Sequence, residues 1–299
     1  MMKTKIFILL FIMSDIFAAC SNDVESVDIQ KPYTYSDLYY QNLRDYKASD
    51  HSIAWGWFAD YKQHHSLAIR FMGLPDSLDI CSLWGGIPTL NPKDTLAFCD
   101  TVAYNEMRFV QKTKGTKMVV PTIIRIANFP QFKEDSAGVN AFGDYLVNLV
   151  LGHNLDGADL DYEPEGDWLS GNHMSWLIKH MSEKLGPKSI HPDKMLIIDY
   201  YSEQPPADTN PYVNYYVNQT YGGDPGNKLS YTTYEKMVYT ENIGDNWKTG
   251  GRLLEYAKWQ PSTGRKGGFG AFYMHRDYNL DPPYRYMREG IQIQNPAVH

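Results

Sequence analysis

Apolar residues gather in eight short runs along this chain. They are SIAWGWF (52–58), SLDICSLWGG (77–86), KMVVPTII (117–124), LDGADLDY (155–162), KMLIIDYY (194–201), YVNYYVNQTY (212–221), KMVYT (236–240) and GGFGAFYM (267–274). Most are nearly continuous rather than alternating, the pattern of strands covered on both faces. Helical spacing fills several of the gaps. Helices are expected over 36–47, over 94–112 with Asp94 as N-cap, over 140–151 stopped by Gly152, over 170–185 stopped by Gly186, and over 253–259 before Pro261. Strand alternating with helix eight times within about 250 residues predicts an α/β fold, a (β/α)8 TIM barrel. The gaps SEQPPADTNP and GGDPGNKLSYTT, after the fifth and sixth runs, are short and rich in Pro and Gly. The barrel should therefore be irregular there, with short or missing helices.

The chain has 299 residues and opens with MMKTKIFILLFIMSDIFAAC, a basic start followed by an apolar run and small residues before Cys20. This reads as an export leader, because a membrane span would need about 20 apolar residues. Phe17-Ala18-Ala19-Cys20 resembles the lipobox of bacterial lipoproteins, in which the leader is cut before the cysteine and the cysteine receives lipid. The acidic SNDVESVD that follows resembles the surface-export signals of Bacteroidota lipoproteins. The expected organisation is a signal peptide over 1–19, a flexible tether over 20–35 and one barrel domain over 36–299. The expected location is the bacterial cell envelope, lipid-anchored through Cys20 at the outer-membrane surface.

Net charge is −7 with no basic run, which argues against nucleic acid as a partner. His64 and His65 are adjacent rather than at helical ligand spacing, and no Cys/His cluster has zinc spacing, so no metal site is expected there. Cys81 lies in an apolar run and Cys99 in an expected helix; two buried free thiols or a disulfide would both fit. A monomer is expected. The 23 tyrosines suit a cleft that stacks flat rings as well as a core.

The fourth run breaks the apolar pattern with acids. In a strand, residues two apart share a face, so Asp159, Asp161 and Glu163 point one way while Leu160 and Tyr162 point the other. The acids then face the barrel axis, where Val, Ile and Leu are normal. Burying unpaired carboxylates costs several kcal/mol each, and folding gives no reason to do so three times. Chemistry does. Crowded carboxyls cannot all ionise cheaply, so protons are shared and at least one pKa rises. Active sites of such barrels form at the C-terminal ends of the strands. Glu163 takes that end as general acid, Asp161 below it holds a charged form, and Asp159 takes a shared proton. A divalent-metal site would need further oxygen ligands from neighbouring strands. Glu165 and Asp167 read as a solvated acidic turn.

The stretch DGADLDYE fills the DGxDxDxE motif of glycoside hydrolase family 18, with Asp156, Gly157, Asp159, Asp161 and Glu163 at the fixed positions. The chain resembles that family from about Trp55 to Asp277, and its endo-β-N-acetylglucosaminidase branch more than its chitinases. PDSLDICSLWGG resembles that branch; PTIIR lacks the SxGG of many chitinases; and NQTY offers Gln219 and Tyr221 where chitinases often carry Tyr-Asp. The resemblance implies hydrolysis of the GlcNAc-β1,4-GlcNAc core of N-glycans with retention, the substrate's own acetamido group acting as nucleophile and no metal or cofactor needed. Glu163 would protonate the leaving oxygen, Asp161 would hold the acetamido N–H, and Gln219 and Tyr221 would orient the group. Trp57 on the first strand, with Trp55, is expected either to floor the sugar site or to pack in the core. Tyr200 is expected to face the mouth. Tyr273, in GAFYMHRDY, is expected to stand where chitinases place a Trp. Two other functions fit less well: a chitinase-like hydrolase, and a non-catalytic glycan-binding surface lipoprotein.

Overall fold

The computed structural model describes residues 32–296. The leader, Cys20 and most of the expected tether lie outside the described residues. Helix α1 (Asp37–Ala48) begins at Ser36, whose hydroxyl accepts the Tyr39 N–H. The strands are β1 (Ile53–Phe58), β2 (Ile80–Leu83), β3 (Ile87–Thr89), β4 (Ala97–Cys99), β5 (Lys117–Ile123), β6 (Gly157–Tyr162), β7 (Met195–Tyr200), β8 (Tyr215–Asn218), β9 (Met237–Asn242) and β10 (Gly268–Phe272). Eight of them close a barrel in the order β1–β2–β5–β6–β7–β8–β9–β10, every neighbour parallel. Each of the eight apolar runs supplies one of these strands. Strands β3 and β4 form a separate two-stranded ribbon above the end of β2.

The remaining helices are α2 (Thr101–Phe109), α3 (Ser136–Gly152), α4 (Asn172–Met181), α5 (Ile243–Asn246), α6 (Leu253–Lys258) and α7 (Arg285–Gln294). After β7 and β8 only single turns occur, Ala207–Thr209 and Tyr234–Lys236, so the barrel is irregular on the expected side. The helix expected from Asp94 starts later. Residues 97–99 pair with 87–89, and Asp100 becomes the N-cap, accepting the Ala103 N–H at 2.9 Å. Asp94 instead closes a turn by accepting the Leu96 N–H. Cys99 is thereby in a strand and exposed, not in a helix and buried, while Cys81 is buried; both thiols are free. Helix α7 was not expected, although Met287, Gly290, Ile291 and Gln294 bury one face at helical spacing.

Two layers of packing position the site. Inside the barrel, Trp55, Ile80, Val119, Ile197, Val217 and Val238 form an apolar plug. Outside, the alternate residues, including Leu160 and Tyr162 as expected, pack against the helices. Each fully buried aliphatic or aromatic side chain contributes about 1.5–3 kcal/mol. Two glycines make the plug possible. A Cβ on Gly270 would lie 2.6 Å from the Trp55 Cβ, and one on Gly157 would lie 2.5 Å from the Met195 carbonyl oxygen. The floor of the mouth is thus a rigid aromatic and aliphatic layer.

Candidate active site

The four acids of the β6 run divide into two jobs. Asp156 sits just before the strand, where its carboxylate accepts the Met118 N–H at 2.9 Å and the Gln111 amide at 2.6 Å. It stitches β6 to β5 at the closed end of the barrel. Asp159 and Asp161 point inward, in register with Pro121 and Ile123 on one side and with Ile197 and Asp199 on the other. Glu163 lies one residue beyond the strand. It nevertheless turns into the same pocket as Asp161.

That pocket has a volume of about 240 Å³ and is walled by Trp57, Trp84, Ile123, Asp161, Glu163, Asp199, Gln219, Tyr221 and Phe272. A larger cavity, about 420 Å³, adjoins it through Trp84 and Ile123, but no carboxyl lines that cavity. The chemistry belongs to the smaller one.

Hydrogen bonds fix the ladder. Asp159 is fully buried; its Oδ2 accepts the Trp57 indole N–H at 2.9 Å and the Ser82 hydroxyl at 2.7 Å. The Gln219 amide donates to Asp161 at 3.2 Å and to Asp199 at 3.1 Å. No side-chain or backbone donor reaches Asp159 Oδ1 or Asp199 Oδ1. A proton held between these two carboxyls satisfies both, and Asp199 is one of the hydrogen-bond partners of Asp159.

The electrostatics agree. Burial pushes Asp159 up to about 7, against the pull of the Ser82, Trp57 and Asp199 hydrogen bonds. Burial, then the charges of Glu163 and Asp159, push Asp161 up to about 8, with Gln219 and Arg125 opposing. Burial and the charges of Asp159 and Asp161 raise Asp199 well above the usual carboxylate range. Asp161, expected to hold the charged form, is thus pushed towards its protonated form. The crowded carboxyls extend beyond the ladder, because a neighbouring strand adds Asp199 opposite Asp161.

The other expected contacts are sorted by strand parity. Trp57, Gln219 and Tyr221 all wall the pocket. Trp55 lies in the plug below, so its role is packing. Tyr200 does not face the mouth. It pairs with the outward Tyr162, is only 4% exposed, and its hydroxyl accepts the Asn218 amide at 3.1 Å within the outer core. The inward residue at that level is Asp199. Tyr273 does not line the pocket either. The backbone turns left-handed at Tyr273 (φ 47°), and its ring borders a separate depression with Asp60, Asn242 and Asp245. Phe272, the inward residue of β10, supplies the aromatic wall, edge-on to Trp57 and Trp84 at 6.0 and 5.3 Å between centroids. The supposed acidic turn is structural: Asp167 accepts the N–H groups of Ile126, Ala127 and Leu169 at 2.8–3.0 Å.

A closed parallel barrel with an aromatic-walled pocket at the C-terminal end of its strands, and an end-of-strand acid backed by proton-sharing carboxyls, is the framework of a glycoside hydrolase. The model for glycoside hydrolase family 18, BT1044-like, matches residues 19–245. The chain belongs to that family. It is 27% identical to endo-beta-N-acetylglucosaminidase F2 of Elizabethkingia meningoseptica, over 94% of this chain and 95% of that protein. Among solved structures it resembles a selenomethionine BT1044 variant, with a TM-score of 0.72, 24% identity, and 87% and 93% of the two chains covered. It also resembles a variant of the endo-beta-N-acetylglucosaminidase from Cordyceps militaris in complex with fucosyl-N-acetylglucosamine-Asn. There the TM-score is 0.69, the identity 22%, and the coverage 88% and 98%.

Proposed function

We propose that this glycoside hydrolase is an endo-β-N-acetylglucosaminidase that cuts between the two GlcNAc residues of an N-glycan core, by retaining, substrate-assisted catalysis. One observation carries the reading: Glu163, Asp161, Gln219 and Tyr221 converge in one aromatic-walled pocket. The kinship with the Elizabethkingia enzyme supports the linkage class. The Cordyceps relative's complex with fucosyl-N-acetylglucosamine-Asn supports a leaving group of that kind.

In this reading the acetamido oxygen of the bound sugar forms a bond to the anomeric carbon as the glycosidic C–O bond breaks. Glu163 gives its proton to the departing oxygen. The acetamido nitrogen gains positive charge as that bond forms, so Asp161 is stabilised as a carboxylate and its proton is taken up by the Asp159–Asp199 pair. Gln219 holds Asp161 and Asp199 at fixed distance, and Tyr221 closes the wall over the acetamido group. Water then adds to the anomeric carbon from the vacated face as the bond to the acetamido oxygen breaks, loses a proton to Glu163, and leaves the sugar with its original configuration, while the proton on the Asp159–Asp199 pair returns to Asp161. General-acid help of this kind contributes roughly 10²–10⁴-fold to the rate.

The test is incubation with glycoproteins carrying high-mannose, hybrid and complex glycans, followed by intact mass. The expected product keeps one GlcNAc, or fucosyl-GlcNAc, on asparagine. No such product from any glycan type defeats the proposal. The leader sequence supports a lipid anchor on Cys20 at the surface of a bacterial envelope. A Cys20→Ser protein that still labels with palmitate would contradict the anchor.

A further inference from the structure

Resting on the reading just given, we infer that Arg125, held by Glu165, is a positioning residue for the general acid Glu163. Arg125 lies two residues past the end of β5, beside the loop that carries the acid. Its Nε donates to the Glu163 carbonyl oxygen at 2.5 Å. Its terminal nitrogen lies 2.9 Å from Glu165 Oε1 and 3.8 Å from Glu163 Oε2. One side chain therefore fixes the main chain of the acid and aims a guanidinium at its carboxyl, while a second carboxylate holds that guanidinium slightly back. The rigid planar fork of Arg suits this double contact.

The pocket makes the arrangement informative. The groups that face Glu163 are Asp161, Asp199 and Tyr221, and no Lys, Arg or His lines the pocket among the described residues. Arg125 is the cation within ion-pair reach of Glu163. The two loops are already joined by Asp167, which takes the Ile126 and Ala127 N–H groups, so holding the loops together does not need Arg125. Its charge serves the reaction instead. While Glu163 carries its proton, the guanidinium belongs mainly to Glu165. When that proton moves to the leaving oxygen, as the C–O bond breaks and the acetamido oxygen bonds to the anomeric carbon, Glu163 becomes a carboxylate among other acids. The guanidinium 3.8 Å away then offsets the new charge until water returns a proton. Arg125 also favours the charged form of Asp161.

The experiment compares kcat/KM for two substrates that share a glycone: the natural GlcNAc-linked oligosaccharide and its nitrophenyl glycoside, whose leaving group needs no proton. Arg125→Ala should lose about 10–100-fold on the oligosaccharide and under about 3-fold on the nitrophenyl glycoside, because the acid step alone is impaired. Arg125→Lys, which keeps the charge without the fork, should recover part of the loss. Glu165→Gln removes the carboxylate that holds the guanidinium in place and should show the same leaving-group signature at roughly 3–10-fold; it also stands in if Arg125→Ala does not fold. Equal losses on both substrates, or a rise in KM alone, would overturn the inference. A wild-type protein that cleaves neither substrate would instead overturn the reading on which it rests.

Discussion

Replacing Asp159 by Asn should make the protein more stable at alkaline pH and flatten its stability profile. The carboxyl is fully buried, and burial raises its pKa from an ordinary 3.8 to about 7. The native state therefore keeps a proton that the unfolded chain has already released. Stability attached to this group is complete below about pH 4 and is lost as pH rises to about 7. At ~1.4 kcal/mol per pH unit the loss over that window is ~4 kcal/mol. An Asn fits the geometry. Its oxygen can still accept the Trp57 and Ser82 hydrogen bonds at Oδ2, and its NH₂ replaces Oδ1 and can donate to the orphaned Asp199 Oδ1. Removing the charge also relieves Asp199, whose pKa is raised by burial and next by Asp159. Urea unfolding of both proteins at pH 4.5, 6 and 8 measures the effect. The variant should gain ~2–4 kcal/mol on the wild type between the first and last pH, or ~5–10 °C in melting temperature for a domain of this size. Parallel pH profiles would refute the claim that Asp159 holds a proton in the folded state.

Glu163→Gln should keep the melting temperature and lose about 10³-fold or more in kcat/KM on an oligosaccharide, measured by product mass over time; normal turnover would remove Glu163 from the acid role. Phe272→Ala should cut kcat/KM by about 10-fold through loss of an aromatic wall, while Tyr273→Ala should stay within about 3-fold; the reverse ranking would place Tyr273, not Phe272, at the sugar.

The barrel was legible because its strands are buried on both faces. Eight apolar runs give eight strands, and the Pro/Gly-rich gaps after two of them give single turns rather than helices. The acid ladder was legible because polar residues at period two inside an apolar run have no other explanation. What sequence did not resolve is parity on neighbouring strands. KMLIIDYY offers both Asp199 and Tyr200, and only the pairing Asp161↔Asp199 puts the acid inside and the phenol outside. Phe272 and Tyr273 are the same problem at the closing strand, resolved by Phe272 pairing with Asn242 and by the left-handed turn at Tyr273. Arg125 ends PTIIR in plain view, yet its partner Glu165 is 40 residues away on another loop, and no local pattern joins them. The helix expected from Asp94 failed because 97–99 found a strand partner ten residues earlier. That tertiary contact overrode a good capping residue.

In the proposed mechanism the bound sugar's acetamido oxygen, and not a protein carboxylate, attacks the anomeric carbon. Its most direct test is the rate of cleavage of substrates whose reacting GlcNAc carries N-acetyl, N-fluoroacetyl, N-difluoroacetyl or N-trifluoroacetyl groups, each a weaker nucleophile than the last. Log kcat/KM should fall steeply and steadily with each fluorine. A flat series would contradict it and assign the attack to one of the buried aspartates.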